Sequence, residues 1–346
     1  MNLLIITQKV DVNDDNLGFF HRWIEKFAEK LDKVYVICLS RGEYNLPQNV
    51  HVFSMGKESG VFKIGQLILL QKHLLKILPN VDGVFIHMCP IYAIASYPFV
   101  KIFRKKMILW FLHKHVGWKL RLSEKLVDGI LTASEESCRL KNKRKIKIVG
   151  HGIDVERFKP AASVSKNNEF IIFSAGRIAP SKDLKTLVEA ADILIKEGRI
   201  PNLKVKIAGN PITKPERVYL DKIKELIRKR EVSGNFEFLG GVPNYKMPEY
   251  YQKADIFVNL SHTGSIDKVV LEAMACDTPV LTCNEAFKVI LDKRYIFNKK
   301  DPQDLAEKII GLRQGKKEDA SLREVIVRNY NLDDLIKKIL AEFKNG

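Results

Sequence analysis

The chain is poor in the features that mark an exported or membrane-spanning protein. Only five of 346 residues are cysteine: Cys38, Cys89, Cys138, Cys276 and Cys283. None stands in CxxC spacing, and an odd number cannot all pair internally, so reduced thiols are expected and a disulfide scaffold is not. No stretch approaches the ~18 uninterrupted apolar residues of a spanning helix. The nearest, Cys89 to Ile102, is broken by Pro90, Tyr92, Pro98 and Lys101. The opening MNLLIITQKV has a short apolar run without a basic lead or a small-residue cleavage site, and reads as a first strand, not a secretory signal. After it comes TQKVDVNDDNLGFF where a dinucleotide-dependent dehydrogenase carries GxGxxG. Zinc spacing, a helix-turn-helix context and an RNA-binding aromatic pattern are also missing, so no nucleic-acid partner is expected.

What is present is a folded α/β chain. Hydrophobic residues at 46% beside 29% charged ones argue against disorder, and the length favours two domains. Strand-like runs at Leu3–Thr7, Val34–Leu39, Val50–Ser54, Gly83–His87, Met107–Leu112, Gly129–Thr132 and Ile146–Val149 alternate with helical segments such as Leu17–Leu31 and Phe62–Leu78. A polar bridge, Pro160–Glu169, precedes a second series: Phe170–Ser174, Val205–Ala208, Phe236–Phe238, Ile256–Asn259 and Pro279–Thr282. Alternation of this kind predicts parallel sheets covered by helices. The expected domains are 1–160, 161–330, and a closing helix in 331–346 that packs back on the first. Two such domains leave a cleft where strand carboxyl ends meet helix amino ends, the usual place for phosphorylated ligands.

Charge is unevenly spread. Residues 1–160 hold 26 Lys+Arg against 15 Asp+Glu, whereas the remainder holds 32 against 26, within a total of +17. Such an excess attracts phosphorylated ligands or an anionic membrane surface, and solvated lysines on ordinary faces account for it equally well. The densest cluster runs from Lys101 to Lys125 and includes Trp118. The helix around Trp118–Lys125 is the segment offered to lipid.

Two segments carry the chemistry. In FSAGRIAPSKDLKTLVEA (Phe173–Ala190) a strand ends in a Gly-Arg turn, and Lys182 stands at the mouth of a helix. Arg177 and Lys182 beside a helix amino end suit a diphosphate, whose oxygens need fixed cations and N–H groups once water is removed. Alone, the pair reads as two surface cations bounding a helix. In ADIFVNLSHTGSIDKVVLEAMACDTPVLT (Ala254–Thr282) a strand leads through a small polar loop into a helix where Glu272 is flanked by apolar residues. Gly264 and Ser265 permit close backbone approach. A carboxylate so placed accepts hydrogen bonds, and the paired hydroxyls of a ribose match it.

These segments, with KIVGHGIDVERFKP, KIAGN, FLGGVPNYKMPEYYQKADIFVNLS and LEAMACDTPVL, resemble the retaining GT-B glycosyltransferases of glycosyltransferase family 4. The resemblance runs through both halves and is sharpest over residues 145–285. It implies an α/β GT-B architecture, two Rossmann-like domains with a cleft between them, and a metal-independent cytoplasmic enzyme. That enzyme transfers a sugar from a nucleotide diphosphate donor to a glycan or lipid-linked acceptor; the basic patch, read by its charge, adds the expectation of a peripheral seat on the inner face of the membrane. By the resemblance Arg177 and Lys182 bind the donor diphosphate, Glu272 binds the ribose, and Phe238–Val242, with Gly240 and Val242, frames the base. The backbone from Gly264 through Ser265, Ile266 and Asp267 to Lys268 contacts the donor sugar. Gly18, in the glycine-containing loop before the first helix, lines the donor side of the cleft. His113, at a strand end, lies by the reacting carbon, with His115 and His151 as further residues of the cleft. The family pairs two glutamates separated by seven residues, but here Gly264 stands at the first position, eight before Glu272, leaving Asp267 as a displaced substitute. No cofactor and no metal are expected. A binding protein with impaired turnover, or a GT-B epimerase or phosphorylase, are the rival readings.

Overall fold

The computed structural model describes residues 1–162, 168–262, 264–315 and 321–344. In chain order the first elements are β1 (Asn2–Val10), α1 (Phe19–Ala28), β2 (Lys33–Arg41), β3 (Val50–Ser54), α2 (Lys63–Ile77), β4 (Gly83–His87), α3 (Pro90–Ile102), β5 (Lys106–Trp110), α4 (Trp118–Leu126), β6 (Gly129–Thr132) and β7 (Ile146–Ile148). The series continues with β8 (Phe170–Ala175), α5 (Leu184–Lys196), β9 (Leu203–Ala208), α6 (Lys214–Lys229), β10 (Phe236–Gly240), α7 (Met247–Lys253), β11 (Ile256–Asn259), α8 (Lys268–Ala275) and β12 (Val280–Thr282). It closes with α9 (Pro302–Gln314), α10 (Leu322–Asn329) and α11 (Leu332–Lys344). None of the helices among the described residues is long and apolar enough to cross a membrane.

The first unit comprises Met1–Gly152, Pro243–Tyr245 and Asn331–Gly346. Its seven strands run in the order β3-β2-β1-β4-β5-β6-β7, all pairs parallel. Because side chains alternate across a strand, the run Leu3-Leu4-Ile5-Ile6 feeds both faces. Leu3 and Ile5 join α1 and α11 through Phe20, Ile24, Leu335 and Ile339, whereas Leu4 and Ile6 join α2, α3 and α4 through Leu70, Leu74, Val100 and Leu120.

The second unit comprises Ile153–Val242 and Lys246–Tyr330, with five parallel strands ordered β10-β9-β8-β11-β12. It begins at Ile153 and not at the expected boundary after residue 160. Ile153 and Phe158 are buried with Phe173, Tyr251 and Phe257 in this unit's core, so the chain is committed before the polar bridge. Residues 163–167 of that bridge lie outside the described residues. Helix α6 starts with a capping box in which the Thr213 and Glu216 side chains each bond the other's backbone N–H.

Candidate active site

In an open parallel sheet, a ligand crevice forms where successive connections leave a strand pair in opposite directions. In the second unit that point lies between β8 and β11, since the chain winds from β8 to β9 and β10 and then returns to β11 and β12 on the other side. The loops after β8 and β11 therefore frame it. The first carries Gly176, Arg177 and Lys182, and a small recess there is lined by Gly176, Arg177, Lys182, Asn259 and Leu260. Gly176 adopts φ +139° and Gly209, which follows β9, adopts φ +137°. A Cβ on Gly209 would lie 1.9 Å from the Gly176 carbonyl oxygen, so the strand ends meet only because this residue lacks a side chain.

Lys182 is held in place. Its ammonium donates to Ser261 Oγ at 3.1 Å and to Asp267 Oδ1 at 2.8 Å. Asp267 Oδ2 in turn accepts from Asn284 Nδ2 at 2.9 Å, and the same amide donates to the Ser265 carbonyl at 2.7 Å. Asn284 follows β12, and its backbone N–H donates to Thr282 Oγ1, which donates to Asn259 Oδ1 at 3.0 Å. Both oxygens of the displaced carboxylate are thus engaged by protein. Arg177 is half-exposed, with Nε 3.4 Å from Glu216 Oε1. Asp183, left-handed at φ 37°, accepts from Thr186 Oγ1 and lies 3.4 Å from His262 Nε2.

Glu272 is 2% exposed inside α8. Its Oε2 accepts from the Tyr251 hydroxyl at 3.0 Å, and its Oε1 lies 3.3 Å from Lys268 Nζ. Burial first, and then the neighbouring carboxylate, push the Tyr251 phenol well above its ordinary value, so it remains a proton donor. Loss of water around Lys268 lowers its pKa, against the upward pull of Glu272. Gly264 is left-handed at φ +70° with open space where a Cβ would stand, and Ile266 packs on the core beside α8. Thr263 lies outside the described residues. Gly240, at φ +69°, accepts the Gly209 N–H through its carbonyl, and Val242 is buried against the core of α7.

The switch point of the first unit lies between β1 and β4. Gly18 caps α1 there, and a Cβ on it would meet the Asp14 carbonyl oxygen at 2.3 Å, so the loop's own backbone requires glycine. His87 ends β4, buried, with Nδ1 3.1 Å from Thr7 Oγ1 and its ring stacked on Phe20 at 3.7 Å. His113 does not end a strand: β5 stops at Trp110, and His113 sits exposed in the following loop, where Nδ1 accepts the His115 N–H in a local turn that replaces ladder bonding. His115 is exposed beside it. His151 is largely buried, next to Gly152, whose hydrogen faces Leu332 and Leu335. Among the described residues no three His, Cys, Asp or Glu side chains gather as metal ligands.

Sequence reasoning passed over Asn259, Ser261, Asn284, Asp183 and His262. The available signal was polarity at the carboxyl ends of two apolar strands, in IFVNLS and VLTCN. The geometry therefore joins Lys182 to Asp267 and, on α8, Glu272 to Lys268, with Arg177 on the loop of Lys182.

Comparison with known proteins adds the following. The family model for glycosyl transferases group 1 matches residues 155–329. The alpha-monoglucosyldiacylglycerol synthase of Acholeplasma laidlawii is 29% identical over 195 residues, 52% of this chain and 47% of its own length. The capsular polysaccharide biosynthesis glycosyltransferase CapM of Staphylococcus aureus is 27% identical over 230 residues, 61% and 54% respectively. The chain spans about half the length of these curated relatives. Among solved structures, Anabaena HepE in complex with UDP and glucose matches with a TM-score of 0.78 over 100% of both chains, at 16% identity.

Proposed function

Because the chain belongs to the family of glycosyl transferases group 1, we propose that it moves a sugar from a nucleotide diphosphate donor to a hydroxyl acceptor. The fold is α/β of the GT-B kind, with two Rossmann-like domains. The proposed transfer retains configuration at the anomeric carbon, on the cytoplasmic side of a membrane, and serves cell-surface glycan or glycolipid assembly. The observation that carries the reading is the Lys182 ammonium, fixed by Ser261 and Asp267 at the β8/β11 switch point.

In this reading the donor bond breaks as negative charge grows on the leaving diphosphate. Lys182, Arg177 turning from Glu216, and N–H groups at the amino end of α8 meet that charge without waiting for solvent to reorganise. Lys268 and Glu272 face the ribose, with Tyr251 holding the carboxylate. The backbone from Gly264 to Asp267 bounds the sugar, and Gly240 and Val242 bound the base. A donor phosphate oxygen takes the acceptor's proton. In the first unit Gly18 is assigned to the donor side of the cleft and His113 to the reacting carbon, with His115 and His151 as further residues of the cleft. Neither a cofactor nor a metal is assigned a step.

The test is a panel of UDP-, GDP- and ADP-sugars with EDTA and then with Mg2+, scored by thermal stabilisation and nucleotide release. UDP-sugars come first, given the ligand of Anabaena HepE. The expected outcome is one donor that stabilises the chain and releases nucleotide in EDTA, with both responses lost in Glu272→Ala. No response to any donor would overturn the assignment. A second reading, donor binding with impaired turnover, draws on Gly264 at the family's first glutamate position and on Asp267 having both oxygens occupied. Stabilisation without release, with glycan and lipid acceptors supplied, would favour it.

A further inference from the structure

The carboxyl ends of β8, β11 and β12 are tied into one circuit of hydrogen bonds. At the end of β11, Asn259 Oδ1 accepts from the Ser261 N–H at 3.4 Å and from Thr282 Oγ1 at 3.0 Å. Thr282 Oγ1 accepts from the Asn284 N–H at 3.1 Å, and Asn284 Nδ2 donates to Asp267 Oδ2 at 2.9 Å. Asp267 Oδ1 accepts from Lys182, whose ammonium returns the path to Ser261 Oγ. The path thus closes on itself, and each bond holds the groups of the next.

Asn284 is fully buried on the turn after β12, and its side chain is committed at every polar atom. Its Oδ1 accepts the Ala286 N–H at 3.1 Å, while the two hydrogens on Nδ2 go to Asp267 and, at 2.7 Å, to the Ser265 carbonyl. Both of those acceptors lie on the loop that leads into the amino end of α8. An aspartate has nearly the same shape as an asparagine but, when ionised, donates nothing.

Charge gives this contact its consequence. An ammonium has three N–H bonds, and Lys182 directs two of them to Ser261 and Asp267, which leaves one for a phosphate oxygen. Asp267 also sets a carboxylate at the amino end of α8, the place assigned above to the phosphates. Its negative charge is tolerable beside an incoming anion while both oxygens are held by protein donors, Oδ1 by Lys182 and Oδ2 by Asn284. Without Asn284, Oδ2 loses its donor and faces like charge.

We propose that Asn284 is a positioning residue for the nucleotide diphosphate, acting through Asp267: its amide holds the carboxylate back so that Lys182 keeps one N–H for a phosphate oxygen. This rests on the reading above of the β8/β11 switch point as the donor site.

The test is calorimetric titration of the full chain with UDP, GDP and ADP in EDTA, on variants whose melting temperature shows them folded. Asn284→Ala should raise the Kd of the nucleotide that wild type binds by about tenfold, and Asn284→Asp by about 100-fold at pH 8. The introduced carboxyl meets Asp267, and that like charge raises its pKa, so a proton that can be donated returns as pH falls. The ratio of the Asn284→Asp Kd to the wild-type Kd should therefore shrink toward pH 5.5. The other ionisable groups nearby, Lys182, Asp183 with His262, and Glu285 with Lys299, are shared with wild type and cancel in that ratio. In an Asp267→Ala background, Asn284→Ala should change Kd by less than about threefold, since its target is gone. Wild-type affinity in folded Asn284→Ala would overturn the proposal and leave the donor site standing. A pH-independent Asn284→Asp ratio, or full additivity with Asp267→Ala, would overturn the path through Asp267. If Asn284→Ala does not fold, the Asn284→Asp ratio decides alone. Failure of wild type to bind any of the three nucleotides would remove the donor site and this role with it.

Discussion

The two units place their switch points alike and furnish them differently. Between β8 and β11 the loops present Lys182, Arg177, Asp267 and left-handed glycines, with polar partners reaching back to Asn284. Between β1 and β4 the corresponding place is packed: His87 stacks on Phe20, lies within 6.1 Å of Trp23 and meets Thr7. Topology supplies a crevice in both, and side chains decide whether it is wired for anions or filled with rings. The proposed phosphate chemistry is therefore assigned to the second unit.

The largest expected effect tests that division directly. Lys182→Ala should lower donor-dependent nucleotide release by about 10²–10³-fold, the usual cost of removing one group that meets charge developing in a transition state. His87→Ala should instead cost about 2–3 kcal/mol of stability in urea melts, as a truncated core ring does, and leave nucleotide diphosphate binding unchanged. Loss of that binding in His87→Ala would break the comparison.

An intermediate effect separates two glycines of the second unit. Gly209→Ala sets a Cβ against the Gly176 carbonyl in a strained backbone conformation and should cost about 2–4 kcal/mol, whereas Gly264→Ala meets open space and should cost about 1 kcal/mol. Differential scanning of both variants sharpens which turn the crevice depends on.

The smallest effect lies in the first unit. Burial raises the Glu25 pKa, but bonds from His21 and Arg22 outweigh it and hold the carboxyl near about 2 instead of 4.5. With the folded value depressed, its contribution is complete above 4.5 and is lost as pH falls toward 2. The gap in urea midpoint between wild type and Glu25→Gln should close over that window. A constant gap would mean that the bonds contribute through geometry and not charge.

Much of the fold was legible, because buried parallel strands leave continuous apolar runs and their helices leave a longer period. Helix α3 was not, since Pro90 and Pro98 within an apolar run argue for interruption. Pro90 stands in the first turn, where the missing N–H had no partner anyway, and Pro98 is carried inside a helix that the sheet face holds together. Candidate residues that follow strands, such as Arg177 and Lys182, were legible from position. Their partners were not: Asp267 and Lys182 are 85 residues apart, and only the pairing of β8 with β11 brings their loops together. His113 was placed at a strand end because apolar residues continue to Leu112, two beyond the last ladder position.

Helix α11 belongs to the sheet of β1, more than three hundred residues upstream, where Leu332, Leu335, Ile336, Ile339 and Leu340 complete the layer that α1 begins. During synthesis the first unit emerges first but lacks this cover until the last helix clears the ribosome. Its sheet must wait with Ile5, Phe20 and Phe85 incompletely screened, while the second unit, apart from the short Pro243–Tyr245 excursion, finishes from one stretch of chain. The order in which the units leave the ribosome is thus the reverse of the order in which their cores can close, and the early, waiting half is the one exposed to chaperones and to misassembly.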